Sequence, residues 1–344
     1  MRQNLFVAGL VGCALAAHAQ APKPPFTAKD VEMGQKLVNL SLDLREQITM
    51  AKGPADPFKI MGNLYFVGVQ NGEVYLLTSP QGHILFGVGF ADTADLVQRN
   101  IEALGFKMTD IKAILLNHAH GDQSGAAAWF RQKTGAQVMT GFAEVQFLEH
   151  GGVLPGGIPR PANGPPAPPP GPPTRLQKIN AQFAGTQQYP PVKVDRALFD
   201  GDVINVGPLK VTAYLSPGHS PSPASWLYTV RDGGKDYRVL EYCCWEYPDD
   251  ITTNAYITES GVRHNLELFR KMLPVDIYLE TGAYGWSGIL NQPSGTMAER
   301  REKLKTDTKF WVNREIFKAL SAAREVEIEE KLAKVKATQK WATK

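Results

Sequence analysis

The apolar and polar positions of the 344-residue chain change period several times, and each change marks an element. Residues 27–52 (TAKDVEMGQKLVNLSLDLREQITMAK) space their apolar residues mostly at helical intervals. Residues 56–90 read instead as short strands parted by Asn-Gly and Gln-Gly turns. TADLVQRNIEALGF (93–106) is an amphipathic helix closed by Gly105. IKAILLN (111–117) is one unbroken apolar run, the mark of a strand buried on both faces. A helix (125–135), a strand (136–140) and a second helix (141–150) follow, so strand and helix alternate as in βαβ units. Residues 151–174 are almost wholly Gly, Pro and small residues. They exclude helix and central strand and read as a solvated polyproline-type loop, or alternatively a semi-rigid flap. Beyond them the pattern is strand-rich again through 196–230 and 237–245. Then come a helix (263–273), the strand DIYLE (276–280), the loop TGAYGWSGILNQPSG (281–295) and a charged helical tail from 297 to 344.

The N-terminus alters this picture. Arg2, an apolar run from Leu5 to Ala17 and the small-x-small sequence Ala17-His18-Ala19 have the layout of a secretory signal peptide over residues 1–19. The expected mature chain is a single domain over 20–344, exported to the periplasm or secreted. A competing reading takes LVGC at 10–13 as a lipobox with Cys13 lipidated. The composition, 43% hydrophobic and 21% charged with a formal net charge of +3, allows one sizeable core and gives no reason to expect nucleic acid or an acidic membrane as a partner. Export leaves Cys243 and Cys244, neighbours too close for ordinary disulfide spacing; a vicinal disulfide between them is allowed but strained, and no disulfide framework is expected.

Candidate chemistry sits where strands end. AILLNHAHGDQSGAA (113–127) finishes a buried strand in His118, Ala119, His120, Gly121, Asp122 and Gln123. Two histidines one residue apart can reach a single ion, and a hydrolytic zinc needs three protein ligands with a position left for water. His219, in LSPGHSPS just past another apolar strand, is the natural third. His83 in a hairpin turn, His150 beside the Pro-rich loop and His264 at a helix start read as surface or capping residues.

On these residues the chain resembles the metallo-β-lactamase superfamily, hydrolases with a four-layer αββα sandwich, and within it the subclass B3 lactamases. The resemblance runs from about Pro57 to Trp286. It is carried by DPFKIMGNLYFVG, by AILLNHAHGDQSG against the family's H-x-H-x-D-H, and by YPPVKVDRALFDGDVINVG with SPGHSPSPASW. It implies an α/β fold of that sandwich type, a first zinc on His118, His120 and His219, and Asp122 as the carboxylate of a second metal site beside the attacking water. The departures lie in that second site. Gln123 stands where the family has His, Gly282 stands at or near another family His, and Gly87 stands where an Asp is usual. An amide oxygen is a weaker zinc ligand than imidazole, so one zinc is expected. Cys244 is the best local substitute ligand, since the resemblance places it near where some superfamily branches have a zinc-binding Cys or a bridging Asp, and in an extended strand only one of the two cysteines faces the site; Glu280 is a further oxygen donor, and a cysteine pair with no metal is an equal alternative. The resemblance implies a zinc hydrolase that opens a small-molecule β-lactam amide through zinc-bound hydroxide. The alternatives are a lactone, ester or small-amide hydrolase, or a catalytically weak zinc binder. No stable membrane association is expected, and the oligomeric state stays open.

Overall fold

A computed structural model describes residues 26–47, 52–70, 72–153, 172, 188–245, 258–281 and 286–338. The expected signal peptide, most of the Pro-rich segment and Gly282 lie outside the described residues. No helix among the described residues is long and apolar enough to cross a membrane.

Two sheets face each other. The first has strand order β1 (Phe58–Met61), β2 (Leu64–Phe66), β3 (Tyr75–Leu77), β4 (His83–Phe86), β5 (Ile111–Leu116), β6 (Gln137–Gly141), β7 (Arg196–Leu198). Its first four strands form an antiparallel meander, and β4 to β7 run parallel. The second sheet pairs β8 (Val203–Val206), β9 (Leu209–Leu215), β10 (Ala224–Asp232) and β11 (Lys235–Tyr242) antiparallel, with β12 (Ile277–Glu280) added parallel to β11.

Period-2 alternation divides the core into layers. In β5, Ala113 and Leu115 face the sandwich interior, where they join Phe86, Trp226, Tyr228, Leu279 and Trp286. Ile114 and Leu116 point outward onto α2 (Ala94–Ala103) and α4 (Ala127–Thr134), through Val97, Ile101 and Phe130. That double burial is why the strand is apolar throughout. On the outer face of the second sheet, Leu240, Tyr242 and Tyr278 meet α1 (Ala28–Arg45), α6 (Glu259–Met272) and α9 (Arg314–Thr338). Helix, sheet, sheet and helix thus stack as a four-layer αββα sandwich, as the sequence led us to expect. Short helices α3 (Gly121–Ser124), α5 (Val145–Glu149), α7 (Ser287–Leu290) and α8 (Met297–Thr306) complete it.

One expectation changes. His83 is not a surface turn residue: it opens β4, is buried, and sets its ring edge-on to Phe106 at 5.2 Å. The C-terminal tail, by contrast, is helical and packed on the domain as expected, a helix pair in which α9 buries Phe317, Ala319, Leu320 and Ala323. Helix α1 lies directly on α9. Its N-terminus is capped by Thr27 and Asp30, and Asp30 also meets Lys318 of α9 at 2.9 Å.

The close approach of α1 to α9 depends on Gly34, where a β-carbon would stand 1.9 Å from the Ala319 carbonyl oxygen. The obstacle is backbone and cannot rotate away. Gly34→Ala is expected to push the helices apart and cost about 1–3 kcal/mol, the usual range for overpacking. Urea unfolding of the purified protein checks it; an unchanged midpoint would mean that the two helices can separate without loss.

Candidate metal centre

The three histidines come from two loops. His118 and His120 follow β5, and His219 follows β9 on the opposite sheet. Their ring centroids lie 4.6, 4.7 and 4.7 Å apart and the rings stand nearly perpendicular to one another. One ligand nitrogen from each lies within 4.8 Å of the others, and His219 Nε2 is 3.0 Å from His120 Nδ1. Nitrogens on one tetrahedral zinc are separated by about 3.3 Å, so the set needs only a small adjustment to close on an ion. His118 is buried, and burial, with the neighbouring rings of His120 and His219, holds its pKa well below the usual histidine value. A metal ligand must be neutral imidazole. The donor set therefore fits a metal ion.

A buried residue that the sequence did not single out holds the two loops together. Glu144, at the end of the turn before α5, is fully buried. Its carboxylate accepts from the Ala119 N–H at 3.0 Å, between the two histidines of the first loop. It also accepts from the Ser220 hydroxyl at 2.7 Å and the Ser222 N–H at 2.8 Å in the loop of His219. Burial raises its pKa, while these donors and His120 pull it down. Tyr189 donates to the Ala119 carbonyl at 2.6 Å, and the Ser124 hydroxyl donates to the His118 carbonyl at 2.7 Å. Gly141 lets β6 touch the second loop, since a β-carbon there would stand 1.9 Å from the Ser222 carbonyl oxygen. A Glu in GFAEVQF carries no motif, which is why only its contacts reveal it.

The remaining candidates are placed unequally. Asp122 lies in α3 beside the histidines, half-buried, and its charge helps burial to raise the pKa of Tyr189. It stands outside the group whose ligand atoms lie mutually within 4.8 Å. Gln123 is buried and donates from Nε2 to the Thr281 carbonyl at 3.0 Å. Its Oε1 sits where a side chain at position 87 would be, 2.7 Å from a β-carbon built on Gly87, whose φ is +63°. The two departures from the family pattern are thus one spatial change, the Gln123 amide occupying room that Gly87 leaves. Glu280 does not face this site. Alternation along β12 turns Ile277 and Leu279 inward and Glu280 outward, where it lines a small cavity with Val38, Trp245 and Arg324.

The cysteines also differ from expectation. Strand β11 ends at Tyr242, and Cys243 and Cys244 are joined by a disulfide. The pair lies past the end of the strand, and its two sulfurs meet instead of pointing to opposite faces. Cys243, rather than Cys244, is nearest the histidines, with Sγ 3.4 Å from His118 Nδ1, while Cys244 Sγ lies 3.8 Å from Thr281 Oγ1.

Beneath the site, Glu241 of β11 points between the sheets and is buried. Burial, with the charge of Glu73, lifts its pKa to about 8 against a hydrogen bond from Asn117.

A metallohydrolase-type sandwich, with three imidazoles at the strand ends of both sheets able to hold a metal ion, is the class that this geometry defines. Residues 67–232 match the family described as the metallo-beta-lactamase superfamily. It is similar to BJP-1, a subclass B3 metallo-beta-lactamase of Bradyrhizobium japonicum, at 28% identity and TM-score 0.63 over 83% of this chain and 97% of that one. It is likewise similar to the metallo-beta-lactamase SMB-1 bound to 2-mercaptoethanesulfonate, at 28% identity and TM-score 0.62 over 82% and 98%. A third likeness, at 25% identity and TM-score 0.65 over 86% and 94%, is to a Cronobacter sakazakii metallo-beta-lactamase described by a HARLDQ motif. That motif shares its closing Asp-Gln with Asp122-Gln123 here.

Glu144→Ala strands three buried donors, which is expected to cost roughly 2–4 kcal/mol and to weaken metal binding about 10- to 100-fold. Titration with a zinc-competing chelator measures the second effect, and unchanged affinity would remove Glu144 from the site.

Glu241 gives a pH signature in the metal-free protein. An unfolded glutamate titrates near 4.3, about the lower limit of the effect. Below that pH the carboxyl is protonated in both states and costs nothing. As pH rises from there to about 8 the unfolded chain ionises and the folded chain does not, so stability falls. Glu241→Gln should therefore raise Tm relative to the parent more at pH 8.5 than at pH 4.5. Equal gains at both would show that the carboxyl ionises normally.

Proposed function

We propose that the chain is an exported zinc hydrolase of the subclass B3 type that opens the amide of a β-lactam. The observation that carries this reading is the convergence of His118, His120 and His219 within ligand distance of one another, in a chain whose residues 67–232 match this superfamily. Export rests on the N-terminal sequence. A zinc ion on these imidazoles would supply Lewis acidity and an acidified water for attack on a carbonyl. The chain's own residues do the rest. His118, held neutral by burial, is ready to donate its lone pair. Glu144 fixes the separation of the two histidine loops. Asp122, two residues after His120 and half-buried, would orient a water and take its proton.

Gln123 favours a second reading. Its amide is committed to Thr281 and fills the space beside Gly87, so the second family metal site is altered on both sides. In the superfamily that the chain resembles, a metal in that site stabilises the negative charge that forms on the leaving nitrogen of an amide. An ester or lactone has a better leaving group and needs less help, so a hydrolase of such a substrate is the alternative.

The test is a substrate panel on the zinc-loaded protein. β-Lactam hydrolysis is expected, with Asp122→Asn lowering kcat at least 100-fold while lowering zinc content less than twofold. Turnover of lactones or esters with penicillins, cephalosporins and carbapenems untouched would replace the first reading by the second. No turnover of any carbonyl substrate would leave a zinc-binding relative without catalysis.

A further inference from the structure

The disulfide is placed where an ordinary structural link would not need to be. It closes no loop, since its partners are adjacent in sequence, so it constrains almost nothing in the unfolded chain. It lies instead against a metal-ligand histidine. His118, Cys243 and Cys244 form a second group of potential ligands, all buried, whose ligand atoms lie mutually within 4.8 Å. Nitrogen and sulfur on one tetrahedral zinc stand about 3.6 Å apart; Cys243 Sγ and His118 Nδ1 are 3.4 Å apart. The peptide that carries the pair is anchored apart from the sulfurs. The Cys243 N–H donates to Ser225 Oγ at 3.0 Å, and the hydroxyls of Ser216 and Ser225 donate to the Cys243 carbonyl. Breaking the sulfur–sulfur bond leaves these contacts in place, so the sulfurs stay beside His118.

We propose that Cys243, Cys244 and His118 form a redox-gated metal site, shut as the disulfide and opened by a dithiol. A reductant thiolate attacks Cys244 Sγ, whose residue keeps a 4% exposed edge while Cys243 has none. The Cys243–Cys244 bond breaks, a mixed disulfide forms on Cys244, and Cys243 leaves as thiolate. The second thiol of the reductant then closes its own disulfide and releases Cys244. Two electrons and two protons pass from the dithiol to the pair. A soft or borderline divalent ion then binds the two sulfurs and His118 and displaces the thiol protons to solvent. The disulfide sulfurs, by contrast, are poor ligands, so the oxidised chain offers only the three histidines. His118 belongs to both groups, which couples the thiol state to the histidine centre. The site shares His118 with the hydrolytic reading and adds two sulfurs of its own.

Cobalt(II) reads the gate without reference to turnover. The air-purified full chain, checked by peptide mapping, should take up alkylating reagent at Cys243 and Cys244 only after dithiothreitol treatment. Cobalt added to the oxidised protein should give ligand-field bands and no thiolate charge-transfer band. After reduction, and removal of dithiothreitol by desalting under argon, the near-ultraviolet charge-transfer band should appear and cobalt affinity should rise at least 10-fold. Cys243→Ser and Cys244→Ser should each lose at least half of the band, and His118→Ala should weaken its binding. The band should persist in His120→Ala and His219→Ala, which destroy the histidine centre and leave the sulfur group standing. Free thiols in the air-purified protein would overturn the gate. So would a reduced protein with no charge-transfer band, or a band that His120→Ala or His219→Ala abolishes. Loss of cobalt by the oxidised His120→Ala protein, with the reduced wild type showing no band, would keep the histidine centre and discard the sulfur site.

Discussion

The carboxylate of Glu144 accepts hydrogen bonds from both loops that carry the histidines, one on each side of the sandwich. Those loops belong to different sheets, and nothing in their local sequence fixes the distance between them. A buried carboxylate with three donors does fix it, because leaving any of those donors unpaired in the interior is expensive. It also sets direction: it grips the backbone N–H between His118 and His120, and the residues one and three beyond His219. The imidazoles are thus aimed by backbone held from behind, which is how supporting groups commonly orient metal ligands.

The same sandwich shows where polar groups are tolerated for function. Glu241 and Asn117 lie between two apolar sheets directly under the histidines, in positions where aliphatic residues would stabilise the fold more. Gln123 is buried as well, tied to Thr281 across the site. These residues bring the cost of burying polar atoms to the part of the core beside the histidines, while the cluster of Phe58, Trp286 and Trp311 is built of aromatic rings that meet edge-on or tilted.

Altering the second family site and adding a disulfide are neighbouring changes. Gln123 and Cys244 both contact Thr281, at the start of the loop that follows β12. The part of the site that departs from the family pattern is therefore one connected patch, while the three-histidine part keeps the spacing that a metal requires.

Much of this was legible in the sequence because it is written in short-range pattern. The doubly apolar run of β5, the alternation of strands and helices, and two histidines one residue apart at a strand end all follow from local periodicity and ligand spacing. So did the choice of His219, since a glycine-histidine turn after an apolar strand places it at the same edge. Other features depend on which residues meet across the fold. Glu144 has no motif; it matters because the chain brings Ala119, Ser220 and Ser222 to it. Glu280 looked like a ligand until the register of β12 turned it toward the helices. The two cysteines looked like opposite faces of a strand until β11 ended one residue before them. Gly87 and Gln123 are far apart in sequence and share one space. A periodic pattern reports which side of an element is buried. What that side then touches is decided by strand register and by where each element stops, and only the tertiary structure carries those.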